Sequence, residues 1–216
     1  MNELLALWRR DLLNEWRNFY QLGGLLAFLS GVCYLIYFFG GKIDLQEWSL
    51  LYWLTYLFLS FFIGARVYED DHTKYRFFFH QLVHPQNLFL SKLIYVFCFL
   101  LLINLISLFL FTLFIPVIHV DWMNWMILCL ILNIGMSNLI CFSSLLNTNI
   151  QNSTLFLTIL ILPLSFPLLG VAYSASIGIL EGQSIVSNIS KFQLILGIDL
   201  ITFALAIVLL PQLLRN

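Results

Sequence analysis

His80 and His84, four residues apart, are the first pair in this chain whose spacing suggests chemistry. On a helix, that spacing would put two imidazoles on one face, as a metal or haem iron requires. No Cys, Asp or Glu follows at matching spacing, and Pro85 directly after His84 argues against a continuing helix. The four cysteines, Cys33, Cys98, Cys129 and Cys141, all fall in apolar stretches and form no CxxC, haem-attachment or zinc pattern. They read as small apolar side chains packed between helices. Asp199 stands deep in an apolar stretch, where an acid is a functional hypothesis by default. His119 and Asp121 are other candidates for a membrane-embedded enzyme, although simple solvation in a short outer loop explains both. There is no Walker A sequence, no HExxH and no GxSxG. The expectation is a chain without catalytic residues, metal or bound cofactor of its own.

The elements that must position these residues are apolar. The 216 residues are 61% hydrophobic and 10% charged, with a mean hydropathy of +0.94. A soluble domain carries about 25% charged residues, so lipid has to solvate most of this surface. A spanning helix needs about 20 mostly apolar residues. Six segments qualify, at 22–39, 48–64, 93–116, 122–146, 154–173 and 192–211, giving an all-α integral membrane fold of one domain. Trp48, Tyr52, Trp53, Trp122, Trp125 and Tyr173 stand near segment ends and read as an interfacial belt. In the last segment, running inward from residue 192, Asp199 would lie about 10 Å along the helix.

Lys and Arg set the orientation. Arg9, Arg10, Arg17, Arg66, Lys74, Arg76, Lys92 and Arg215 fall on one side of a six-span topology; only Lys42 and Lys191 fall on the other. Eight against two places both termini in the cytoplasm. Residues 1–20 do not form a signal peptide, because charges interrupt them throughout. They predict an amphipathic interfacial helix, with Leu4, Leu5, Trp8, Leu12, Trp16 and Phe19 on one face. Glu3, Arg10, Asp11, Asn14, Arg17 and Asn18 form the polar face.

The cytoplasmic loop 65–92 holds seven of the 21 charged residues and three of the four histidines. Its acids Glu69, Asp70 and Asp71 precede the run from Tyr75 to Val83, which is too short to span and too apolar to stand in water uncovered. A short helix docked on a partner protein or on the membrane fits that run best. In the fifth segment, Pro163 and Pro167 flank Ser165. Two prolines four apart predict a kinked or broken helix buried against protein, serving as a static bend or a moving element. The following Gly170, Ala172, Ser174, Ala175, Ser176 and Gly178 predict a close helix interface or a hairpin re-entering the outer leaflet. Asn133, Ser137, Cys141 and Ser144 recur at helical spacing in the fourth segment, with Asn104 and Ser107 in the third. These read as interhelical contacts first and a substrate pathway second.

Two stretches resemble a known family, the cytochrome c maturation protein B family. One is Leu160-Ile161-Leu162-Pro163-Leu164-Ser165-Phe166-Pro167-Leu168-Leu169, similar to the family's helix-five signature. The other is Arg66-Val67-Tyr68-Glu69-Asp70-Asp71, followed by Pro85 and Ser91-Lys92, similar to its loop after helix two. Many members carry a Gly-x-Leu-Glu-like stretch where this chain has Lys74-Tyr75-Arg76-Phe77-Phe78-Phe79-His80. The resemblance implies a type-2 ABC exporter permease in a bacterial inner membrane, working as a homodimer. Each copy would dock on a cytoplasmic ATP-binding subunit through Arg66, Glu69, Asp70, Asp71, Tyr75, Phe78, Leu82 and Pro85. It further implies other haem-handling membrane subunits and a periplasmic haem chaperone. Haem would then be cargo, and ATP would be consumed by the partner. Competing readings are a permease of this architecture for a lipid, polysaccharide or drug, an integral-membrane enzyme using Asp199, and a static membrane scaffold.

Overall fold

The computed structural model describes residues 6–11, 13, 19–67, 85–115, 121–147 and 153–215. Six long helices follow one another: α1 Phe19–Phe39, α2 Leu45–Arg66, α3 Pro85–Phe114, α4 Trp122–Asn147, α5 Ser153–Leu180 and α6 Ile185–Arg215. Residues 6–11 form a further helical stretch ahead of α1. In lipid this outcome is forced, because a backbone crossing hydrocarbon must satisfy its own N–H and C=O groups. The chain is a multi-pass membrane protein. Four stretches among the described residues are long and apolar enough to cross: Gln86–Phe114, Trp122–Ser144, Ile161–Leu180 and Ser187–Val208. Gly23–Phe39 is apolar but shorter. α2 is long enough at 22 residues, but polar and aromatic side chains along its inner face reduce its apolarity.

The connections explain where the helices stop. Gly41 takes φ +60° between α1 and α2, a conformation that costs glycine little. The Glu47 carboxylate then accepts the Asp44 N–H at 3.2 Å, closing the start of α2. Asp121 caps α4: its Oδ1 accepts the Met123 and Asn124 N–H groups at 3.2 and 3.4 Å. Asp121 is therefore a helix cap. α5 ends in a Schellman turn, with Gly182 at φ +78° and the Gln183 N–H on the Gly178 carbonyl at 2.9 Å. α3 starts at Pro85, because proline suits the first turn of a helix, where its missing N–H costs nothing. The expected loop 65–92 thus loses residues 85–92 to α3. α6 starts at Ile185 rather than 192, which puts Asp199 fourteen residues, or about 21 Å, along it.

α4 lies at the centre, packed against α5, α6, α3 and α2. α2 packs on α5 as well, and α1 sits outermost, against α3 and α2. At the heart of this arrangement is a cluster of rings. Trp48 stacks on Tyr52 with centroids 5.5 Å apart, and Trp53 stacks on Trp125 of α4 at 6.0 Å. Phe111 of α3 meets Trp48 and Tyr52 edge-on at 5.7 and 5.4 Å. Trp48, Tyr52, Trp53 and Trp125 are buried, so they are core and not an interfacial belt; Trp122 is exposed. The physical reason is register: residues 48, 52, 53 and 56 share one face of α2, and that face turns inward.

The α2 donors of that cluster find acceptors outside α2, whereas the Trp125 Nε1 is buried with no hydrogen-bond partner among the described residues. Tyr52 donates to Asn104 Oδ1 of α3 at 2.5 Å, and Tyr56 to Asn133 Oδ1 of α4 at 2.5 Å. Trp53 Nε1 donates to Ser176 Oγ of α5 at 3.0 Å, and Trp48 Nε1 to the Ile115 carbonyl at 3.1 Å. Ser144 of α4 returns a bond to the Gly64 carbonyl of α2 at 2.8 Å. Asn104, Asn133 and Ser144 therefore act as interhelical contacts, whereas Ser137 donates within α4 to the Ile134 carbonyl at 2.8 Å and the Ser107 hydroxyl is buried with no hydrogen-bond partner among the described residues. Trp125→Ala should cost roughly 3–5 kcal/mol of stability. Trp122→Ala, on the surface, should stay within about 0.5 kcal/mol. Unfolding temperatures of the two purified variants check this; equal losses would mean that the ring cluster does not hold the bundle.

Candidate functional site

Three stretches hold the residues that sequence singled out. The first is the connection between α2 and α3. Arg66 is the last residue of α2 and Pro85 the first of α3, while Glu69, Asp70, Asp71, Tyr75, Phe78 and Leu82 lie outside the described residues. His72, His80, His84 and His119 lie outside them too. Among the described residues, no three His, Cys, Asp or Glu side chains converge on one point.

The second place is the proline stretch of α5. The helix runs unbroken from Ser153 to Leu180 through both prolines, so of the expected kink or break the break is absent. Pro163 and Pro167 are exposed rather than packed against protein, while Ser165 between them is buried. Spacing accounts for this, since residues four apart lie on the same side of a helix. Both lost donors thus fall on one face. Ser165 donates to the Leu162 carbonyl at 2.9 Å, a back-bond of the kind that bends helices. The small residues after the prolines continue the helix, with no re-entrant hairpin. Ala172, Ala175, Ser176 and Gly178 are buried, and Ser176 accepts from the Trp53 indole and shares a hydrogen bond with the Ser49 hydroxyl.

The third place is Asp199. It lies on the inward face of α6, in line with buried Phe192, Ile195 and Ala206. Both of its carboxylate oxygens are buried, with no hydrogen-bond partner among the described residues. Gly135 of α4 lies directly beneath them. A Cβ at that position would overlap the Asp199 carboxylate and the Leu168 side chain of α5. Glycine at 135 is thus what lets an acid fit between three helices. The sequence shows Asp199 but not its glycine, because positions 64 residues apart carry no shared periodicity.

Among the described residues, a ring-filled core ties α2 to α3, α4 and α5, and a buried acid is wedged where α4, α5 and α6 meet. Gly135→Ala should destabilise the protein by roughly 1–3 kcal/mol through overpacking. Asp199→Ala should relieve that clash, so the double variant should lie above the sum of the singles by about 0.5–3 kcal/mol. Thermal unfolding of all four proteins gives the comparison, and strict additivity would show that the two residues do not touch.

With that geometry in hand, comparison with known proteins is informative. A family model described as CcmB protein matches residues 2–216. No curated protein and no solved structure is similar to the chain.

Proposed function

The chain belongs to the CcmB family, and on that footing we propose that it is the membrane-spanning permease subunit of an ABC transporter for cytochrome c maturation. In this reading it converts ATP hydrolysis on a separate subunit into haem export, or into release of a haem chaperone. The match along residues 2–216 carries the proposal, because it covers the six helices and the connections between them. Family membership points to a transporter component and not to an enzyme.

Physical features of the chain support the finer points. The six helices are 21 to 31 residues long, or about 31–46 Å at 1.5 Å per residue, enough for six crossings of a bilayer core. Eight basic residues on one side against two on the other favour cytoplasmic termini in a bacterial inner membrane. With both ends of residues 68–84 anchored on that side, by Arg66 and Pro85, this segment suits contact with a cytoplasmic ATP-binding subunit. Its acids, Glu69, Asp70 and Asp71, and its aromatics, Tyr75 and Phe78, provide charge and apolar area for docking. The centre of a single copy is filled by fully buried rings, which argues for a cargo path between two copies. Other haem-handling membrane subunits and a periplasmic haem chaperone complete the proposed assembly.

Cysteines placed at 75, 78 and 82, with exposed Cys98 replaced by Ser, should crosslink to the ATP-binding subunit in native membranes. Uniform failure in folded, assembled protein would sink the docking assignment.

A further inference from the structure

The polar face expected for the N-terminal helix does not all meet water. Asp11 is turned inward, and its Oδ1 lies 3.4 Å from the Lys92 ammonium of α3, with both side chains 5% exposed. Arg10 reaches the same oxygen at 2.9 Å from a more open position, 29% exposed. Leu7, one helical turn before Asp11, is buried too, so the two residues share a face that packs against protein. Two residues 81 positions apart are therefore joined by charge below the surface.

A contact of this kind is poorly explained as a source of stability. Removing two charges from water costs about as much as their attraction returns, and apolar side chains of similar volume would pack as well. The contact is also incompletely made. Charge-assisted N–H···O bonds settle near about 2.7–2.9 Å, whereas this one is 3.4 Å, and Asp11 Oδ2 is buried with no hydrogen-bond partner among the described residues. A buried pair has one property that an apolar contact lacks: drawing the Lys92 ammonium away from Asp11 separates opposite charges in a low dielectric, even though Arg10 stays on the same carboxylate oxygen. Position makes that property useful. Lys92 sits seven residues, about 10 Å, past the first residue of α3. A displacement of that end of α3 must therefore either carry the N-terminal helix along or break the pair.

We propose that Asp11 and Lys92 are positioning residues that latch the N-terminal helix to the cytoplasmic end of α3, so that the two move as one body when a partner acts on the connection before Pro85. The inference rests on the permease reading, in which residues 68–84 meet the ATP-binding subunit. Arg10 holds the Asp11 carboxylate from its outer side and keeps it oriented toward Lys92.

The test is a charge exchange in the complete complex. Asp11→Asn, Lys92→Met, Asp11→Lys, Lys92→Asp and the double exchange Asp11→Lys with Lys92→Asp are compared with the unaltered chain. Three readouts are taken: retention of the ATP-binding subunit, its ATP hydrolysis, and the yield of haem-loaded cytochrome c per ATP. The latch predicts that single variants retain the subunit and hydrolyse ATP, yet lose yield per ATP by at least about tenfold, with the exchange recovering most of it. Unchanged yield in Asp11→Asn and Lys92→Met would overturn the latch. So would single reversals that fail to assemble, whether or not the exchange rescues assembly, because the pair would then be a folding contact or no pair at all. Crosslinking at residues 75, 78 and 82 of the unaltered chain separates the two ideas: its failure removes the docking assignment, while the exchange still decides whether the pair acts as a unit.

Discussion

Hydrocarbon offers no water to an inward-facing hydroxyl or indole, so a donor that a spanning helix carries into the bundle is costly to leave without an acceptor in the protein. α2 carries four aromatic donors, on Trp48, Tyr52, Trp53 and Tyr56, and their acceptors are spread over α3 with its end, α4 and α5, while Thr55 and Ser60 bond back to α2 carbonyls. That requirement orders much of what surrounds it. Asn104 and Asn133 are buried where the two phenols end, and Cys129 donates to the same Asn104 oxygen at 3.0 Å. Ser176 sits where α5 must come close enough to meet an indole, with Ala172 and Ala175 lining the approach. The same demand keeps the rings in fixed register, since shifting α2 by one residue would turn all four donors away from their partners.

Much of the helical order is legible in the sequence, because long apolar runs in a chain this poor in charge admit no other backbone structure. The inward face of α2 is harder to read. Aromatics near the ends of an apolar segment look the same whether they meet headgroups or other helices, and only the facing Asn104, Asn133 and Ser176 decide the matter. Helix limits drift for local reasons: Pro85 starts a helix as readily as it ends one, and the Gly182 turn lets α5 continue through its small residues. The proline pair predicts a break because each ring removes a donor. Both rings lie on the exposed side of a helix whose packed side is held by other residues, and the helix survives them. Asp11 is the clearest miss. Its place one turn after Leu7 was a signal of burial, but the partner that makes burial tolerable is 81 residues away.

Rings and interhelical bonds tie α2, α3, α4 and α5 together, leaving α1 with few neighbours and α6 in contact through a narrow inward face. The two charged groups most deeply placed, Asp199 and the Lys92–Asp11 pair, lie at the junction of α4, α5 and α6 and at the first turns of α3. The Lys92–Asp11 pair is an ionic contact, whereas the Asp199 oxygens have no hydrogen-bond partner among the described residues. Membership of the CcmB family sets this bundle in a transporter component for cytochrome c maturation.

The most direct measurement is purification of the tagged chain from its native membranes in mild detergent, with mass spectrometry of every retained protein. The permease account predicts recovery of an ATP-binding subunit together with haem-handling membrane proteins. Recovery with lipid- or glycan-export partners would keep the mechanism and change the cargo. Recovery of the chain alone, under conditions where other transporters stay intact, would contradict the account.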